Sequence, residues 1–165
     1  MNILALDCAT KTGWACLRDG HIESGMQDFT KRRGESMGMN NGVMFYRFRG
    51  WLNNTFKDSG LDIIVYEQAH HRGGAATEIC VNLTGRAQEF AAEIGAEYMA
   101  VHTASIKKFI TGHGKADKEL IKDWFVRKIG RPPVDDNESD AMALLYFVMN
   151  DLGIEQPKTK KDVVL

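Results

Sequence analysis

Three carboxylates stand where an acid has no evident structural duty. Asp7 ends the apolar run Ile3-Leu4-Ala5-Leu6, Glu67 ends Ile63-Ile64-Val65-Tyr66, and Asp140 abuts Ala141-Met142-Ala143-Leu144-Leu145. A short run that is apolar throughout reads as a buried strand, so an acid that closes it emerges where the chain leaves the core. A turn or cap explains either strand end taken alone. If the two strands are parallel neighbours, both acids leave at one sheet edge, where open α/β sheets place their ligands. Asp135-Asp136-Asn137-Glu138-Ser139-Asp140 opens a helix, on which Asn137 and Asp140 share a face, as do Asp136 and Asp140. The helix macrodipole favours acids in a first turn but explains Asp140, a turn further in, poorly. Gathered at one place, such groups repel one another unless cations bind. Carboxylates plus an amide oxygen suit hard divalent ions, Mg²⁺ or Mn²⁺. Two such ions, on the order of 4 Å apart, can activate a water and stabilise the leaving oxygen of a phosphodiester.

The elements that must position these acids follow from the apolar spacing. Strands are expected at 3–6, 13–17 and 21–27, the last two joined by a hairpin at Asp19-Gly20. Lys31, Arg32 and Arg33 lie in an exposed loop, for which solvation of a basic surface is the stronger reading. Met37, Met44, Phe45, Phe48, Trp51, Leu52 and Phe56 recur mostly at helical spacing and predict an amphipathic helix over 36–57, ended near Gly60. A strand at 61–66, a helix from Cys80 to a stop near Gly95, and a strand at 97–101 come next. A short helix over 103–110 precedes the break Gly112-His113-Gly114. Asp117 caps a helix carrying Leu120, Ile121, Trp124, Phe125 and Ile129. Arg131-Pro132-Pro133 interrupts before the final helix, which begins at 136–138 and runs through Val148. The order is β-β-β-α-β-α-β-α-α-α, which implies a mixed sheet with helices on its faces. One domain is expected over 1–153, followed by a flexible C-terminal tail, 154–165, with Lys158, Lys160 and Lys161.

Composition narrows the class. The chain has 165 residues, 44% hydrophobic and 26% charged, as an ordinary globular domain does. Its net charge of −1 does not announce a nucleic-acid binder, so phosphate contacts would need locally concentrated Lys and Arg. Cys8, Cys16 and Cys80 show neither zinc spacing nor an even count and read as reduced, mostly buried thiols. No signal peptide or membrane span is read, which places the protein in the cytoplasm, or the host cytoplasm if it is viral.

Four segments together resemble the RuvC-like Holliday-junction resolvases of the RNase H-like superfamily. Leu4-Ala5-Leu6-Asp7-Cys8-Ala9-Thr10-Lys11-Thr12-Gly13-Trp14-Ala15 resembles their opening, in which Asp ends one strand and Gly begins the next. Val65-Tyr66-Glu67-Gln68 resembles their second acidic strand end. Ser105-Ile106-Lys107-Lys108, followed by Gly112-His113-Gly114-Lys115-Ala116-Asp117-Lys118, resembles the segment with DNA-contacting lysines. Asp136-Asn137-Glu138-Ser139-Asp140-Ala141-Met142-Ala143 resembles the final catalytic helix, and its Asn-Glu-x-Asp pattern is similar to that of phage-type members.

The resemblance implies an α/β fold with an RNase H-like, mixed five-stranded sheet flanked by helices. It implies metal ligands at Asp7, Glu67 and Asp140, with Mg²⁺ or Mn²⁺, two ions per site, as cofactor. Asn137 stands where many members have Asp or His; it supplies the fourth ligand through its carbonyl oxygen, or Asp136 does so by one position of slippage. Lys118 and Lys107 match lysines that contact scissile-strand phosphates or assist catalysis, with Lys108 and Lys115 beside them. After Glu67-Gln68, where the family often has an aromatic wedge, the chain reads Ala69-His70-His71-Arg72-Gly73-Gly74. His70 or His71 is placed to stack on a base and Arg72 to reach a phosphate; a polar surface loop is the plain alternative. A paired-His metal site is disfavoured, because adjacent side chains point apart in an extended chain.

The implied activity is metal-dependent hydrolysis of symmetric phosphodiester bonds in a four-way junction, leaving 5′-phosphate and 3′-hydroxyl ends. A homodimer matches the two-fold DNA. Nothing in the residues supports or excludes a branch-migration motor. The rivals are a broader fork or flap nuclease, an RNA/DNA-hybrid nuclease, and a non-catalytic junction-binding protein, which has no need of the three acids. A sugar-kinase or actin-like fragment is disfavoured by the chain's length and by the lack of a Gly-rich phosphate loop.

Overall fold

The computed structural model describes residues 1–35, 40–69 and 73–156. Strands β1 (Ile3–Asp7), β2 (Lys11–Arg18) and β3 (His21–Asp28) form the opening meander. They are followed by α1 (Asn40–Phe56), β4 (Ile63–Glu67), α2 (Ala75–Ile94), β5 (Glu97–Val101), α3 (Thr103–Thr111), α4 (Lys118–Ile129) and α5 (Asp136–Asp151). The five strands lie in the order β3-β2-β1-β4-β5. β1 pairs antiparallel with β2, as β2 does with β3; β1 with β4, and β4 with β5, are parallel. The meander turns on Asp19 (φ 51°) and Gly20 (φ 79°). Two consecutive left-handed residues match the strand twist of a tight hairpin.

Side-chain alternation divides the sheet into two cores. Leu4, Leu6, Ile64 and Tyr66 face α1 and α2, packing on Phe48, Leu52, Leu83 and Phe90. Ile3, Ala5 and Val65 face the other way, onto Ile106, Phe125, Ala141, Leu145 and Val148 of α3, α4 and α5. Burial on both faces is why the central strands read as unbroken apolar runs. Within the described residues no helix is long and apolar enough to cross a membrane.

The sequence order of elements holds throughout, with shifted boundaries. β2 starts at Lys11, because pairing with Asp28 extends it before its apolar pattern begins. α2 starts at Ala75, ahead of its first apolar stripe residue, directly after Gly74 (φ 90°) turns the chain. The first residues predicted for the helix at 36–57 lie partly outside the described residues, Met37 among them. So does most of the predicted tail, including Lys158, Lys160 and Lys161. Ile154, assigned to that tail, packs on the core, and its N–H donates to the Met149 carbonyl at 2.8 Å.

Candidate active site

Register brings the first two acids together. Ile3 pairs with Ile63, Ala5 with Val65 and Leu6 with Tyr66, so Asp7 and Glu67 follow side by side, about one strand spacing (~4.8 Å) apart. Both continue the side-chain row of Ala5 and Val65, which faces α5. Glu67 is half-buried and accepts a hydrogen bond from the Thr103 hydroxyl at the start of α3.

Asp140 arrives from α5. The Asp135 carboxylate caps this helix, accepting from the Glu138 N–H at 3.0 Å. The helix start lies hard against β2 at Gly13, the residue paired with Asp7. A Cβ on Gly13 would fall 2.8 Å from the Glu138 nitrogen and closer still to the Asn137 carbonyl. Only glycine permits this approach, which sets Asp140 opposite the two strand-end acids.

Electrostatics show that the three share one field. Burial pushes the Asp7 carboxyl well above its ordinary range, and the charges of Asp140 and Glu67 push it further; Lys118 opposes them. Asp140 is pushed up to about 6, by burial first and then by Glu67, with Lys118 and Lys107 opposing. Among the described residues neither Asp7 nor Asp140 has a hydrogen-bond or ion-pair partner. Carboxylates withdrawn from water normally are paired, so this is a negative site only partly offset by Lys118 and Lys107.

Beside the acids opens a cleft of about 160 Å³, walled by Glu67, Thr103, Ile106, Lys107, Lys118, Ile121 and Asp140. It therefore unites two of the acids with two of the sequence-predicted lysines. Asp7 is not part of the wall and joins the cluster through its charge. Lys108 and Lys115 are exposed and lie outside the wall. His70, His71 and Arg72 lie outside the described residues.

The rivals for fourth ligand are differently occupied. Asp136 pairs with Lys122 at 2.7 Å and Lys118 at 3.4 Å. The Lys122 hydrogen bond is the largest influence holding its carboxyl below the ordinary value. Asp136 thus ties α4 to α5 and steadies Lys118. The Asn137 side-chain N–H donates to Asp135 at 3.1 Å, which leaves its amide oxygen as the available donor atom.

The donor set fits a hard divalent cation: it is all oxygen, and its negative charge is surplus. Among the described residues no three His, Cys, Asp or Glu side chains are grouped closely enough to hold a metal ion by themselves. An open acidic cleft of this kind fits Mg²⁺, which keeps several waters and completes its shell with substrate phosphates.

Sequence reasoning missed three supports. Thr103 holds Glu67. Asp135, besides capping α5, adds its charge to the field at Asp7. Glu138, fully buried, accepts from Arg131 (2.5 Å), Ser24 (2.7 Å) and the Val134 N–H (2.6 Å), clamping the segment that leads into α5. The spacing Asp135-x-x-Glu138 is a capping-box signature that marks the helix start, but Glu138's partners are remote in sequence.

No protein-family model matches the chain. No curated protein matches it. Among solved structures, Thermus thermophilus RuvC aligns over 96% of this chain and 100% of its own, with a TM-score of 0.63 and 19% identity. T. thermophilus RuvC in complex with Holliday junction substrate aligns over 96% and 99%, with a TM-score of 0.68 and 18% identity. The fold is that of RuvC, an RNase H-like mixed sheet, with five strands flanked by five helices among the described residues.

Proposed function

We propose that this protein is a divalent-metal-dependent endonuclease that resolves four-way DNA junctions, acting as a homodimer that cuts two symmetric strands. The observation that carries this is the meeting of Asp7, Glu67 and Asp140 at one sheet edge, with Lys107 and Lys118 facing two of them across a cleft. Binding alone needs positive charge and gains nothing from three half-buried, mutually repelling acids. The likeness to a RuvC structure with bound junction supports the choice of substrate.

Asp7, Glu67, Asp140 and the amide oxygen of Asn137 would hold Mg²⁺ or Mn²⁺. When bound, such ions supply Lewis-acid polarisation of the phosphoryl group and a more acidic water. The chain supplies the rest. Lys118, steadied by Asp136, and Lys107 draw the scissile phosphate towards the acids and offset its charge. Thr103 fixes the Glu67 carboxylate, and the apolar wall of Ile106 and Ile121 limits water.

The test is cleavage of a synthetic four-way junction with Mg²⁺ or Mn²⁺, beside a fork and a linear duplex, for wild type and Asp7→Asn. Symmetric nicks in the junction alone, lost in the variant, are expected. Equal cutting of the fork would replace the junction resolvase with a broader branched-DNA nuclease. Binding with no cleavage by either metal would overturn the catalytic role of the acids.

A further inference from the structure

The lysine-walled cleft lies on the α3 and α4 side of the catalytic sheet edge. A second concentration of positive charge lies on the opposite side. Asp28, at the end of β3, pairs with Lys11, and the Phe29 N–H donates to the Thr10 carbonyl at 2.8 Å. The chain therefore leaves β3 at the edge where Asp7 leaves β1. The next residues, Thr30 to Gly34, are exposed and include Lys31, Arg32 and Arg33. β3 is two strand spacings from β1, roughly 10 Å, and Asp28 lies two residues beyond the level of Asp7, roughly 7 Å.

Between this loop and α1 runs a groove of about 430 Å³, with Asp28, Phe29, Arg32, Tyr46 and Arg47 in its lining. Tyr46 is 81% exposed, more than any other large hydrophobic among the described residues. Lys11, Lys31, Arg32, Arg33 and Arg47 outnumber Asp28 and Glu35 here, in a chain whose net charge is −1. Both acids are engaged. Glu35 pairs with Arg47 and accepts from the Arg32 backbone N–H (2.9 Å), and Asp28 accepts from the Thr30 N–H (2.7 Å). Arg33 has no partner among the described residues. An exposed ring among guanidinium groups suits a nucleic-acid strand, with phosphates on the cations and a base on the ring.

We propose that this groove holds the DNA strand on the far side of the scissile phosphate, with Arg32 and Arg33 on its phosphates and Tyr46 stacked on an unpaired base. The proposal rests on the nuclease assignment above and gives it a two-sided substrate track. Each DNA strand carries one phosphate per roughly 3.4 Å of axis. The offset from Asp7 thus corresponds to about three to five nucleotides from the cut.

The test is binding of a fluorescent four-way junction by anisotropy across a salt series, in EDTA and again in Ca²⁺. It compares wild type, Arg32→Ala/Arg33→Ala, Arg32→Lys/Arg33→Lys and Tyr46→Ala, with cleavage of the same junction by wild type in Mg²⁺ alongside. The double alanine variant is expected to flatten the slope of log affinity against log salt by about 2 and to weaken binding about tenfold, with the lysine variant restoring the slope. Tyr46→Ala is expected to weaken binding at least about fivefold at unchanged slope. A cleaving wild type whose alanine variants keep its affinity and slope overturns the groove and leaves the nuclease standing. A wild type that binds through Arg32 and Arg33 but cuts nothing keeps the groove and overturns the nuclease. No binding by wild type overturns both.

Discussion

Gly13→Ala tests whether the backbone of β2 sets the position of α5 and of Asp140, its proposed catalytic acid. The added Cβ would meet the Asn137 carbonyl and the Glu138 nitrogen, the latter at 2.8 Å, where ordinary contact begins at 3.4 Å. These are backbone atoms of the first turn of α5 and cannot rotate away. The Asn137 carbonyl is nearer than the nitrogen, so the helix start must retreat by about 1 Å or more. Asp140 sits on the next turn and moves with it, while Asp7, paired with Gly13, stays with the sheet. A misplacement of about 1 Å costs a reaction on the order of 10²-fold. Overpacking costs about 1–3 kcal/mol, which in a domain of this size lowers Tm by about 3–10 °C. The assay is junction cleavage in Mg²⁺ at a temperature where melting shows the variant folded, with junction affinity measured in parallel. Cleavage should fall on the order of a hundredfold while affinity stays near wild type, because the lysines proposed to bind phosphate are on α3 and α4. A folded Gly13→Ala protein that cuts at the wild-type rate would refute the claim that this contact places Asp140.

Asp7→Asn removes a buried charge that its neighbours oppose, so it should abolish cleavage yet raise Tm by a few degrees in metal-free buffer (about 2–4 °C per kcal/mol); a lowered Tm would show that the negative field at Asp7 is overstated. Asp140, pushed up to about 6, takes up its proton in the folded state before the unfolded chain does. Its contribution to stability therefore rises as pH falls from about 6 towards 4. Metal-free denaturant titrations should show this increment in wild type and lose it in Asp140→Asn; an identical pH dependence in the two proteins would contradict it. Glu138→Ala strands Arg131, Ser24 and the Val134 N–H around a buried gap, and the half-exposed Arg131 can recruit water. A loss of about 2–3 kcal/mol, or roughly 5–10 °C, is expected in thermal melts, and a change under 1 °C would dismiss the clamp. Lys118→Ala should reduce cleavage on the order of 10²-fold at nearly unchanged Tm, since its pair with Asp136 is largely exposed; wild-type kinetics in single-turnover assays would remove Lys118 from the site.

The amino-acid order alone specified the elements, their sequence and the strand-end acids. Those properties are local: apolar period, an Asp-Gly turn, an N-cap at Asp117 and carboxylates that close buried runs. The family resemblance set Lys107 and Lys118 apart from Lys108 and Lys115, which the local pattern does not do, because neighbours on a helix or loop differ only in the direction they face. Tertiary structure adds that Lys107 and Lys118 line the cleft while Lys108 and Lys115 do not. Parallel pairing of β1 with β4 set Asp7 beside Glu67. The bare backbone of Gly13 let α5 approach closely enough to add Asp140. Lysines on α4 claimed Asp136 and left Asn137's amide oxygen available. Glu138, one more acid in an acidic run when read along the chain, became a buried clamp because Arg131 and Ser24 reach it from other parts of the fold. Charge–charge and steric terms depend on distances in space, and residues far apart in the chain acquire those distances only when the sheet and helices pack.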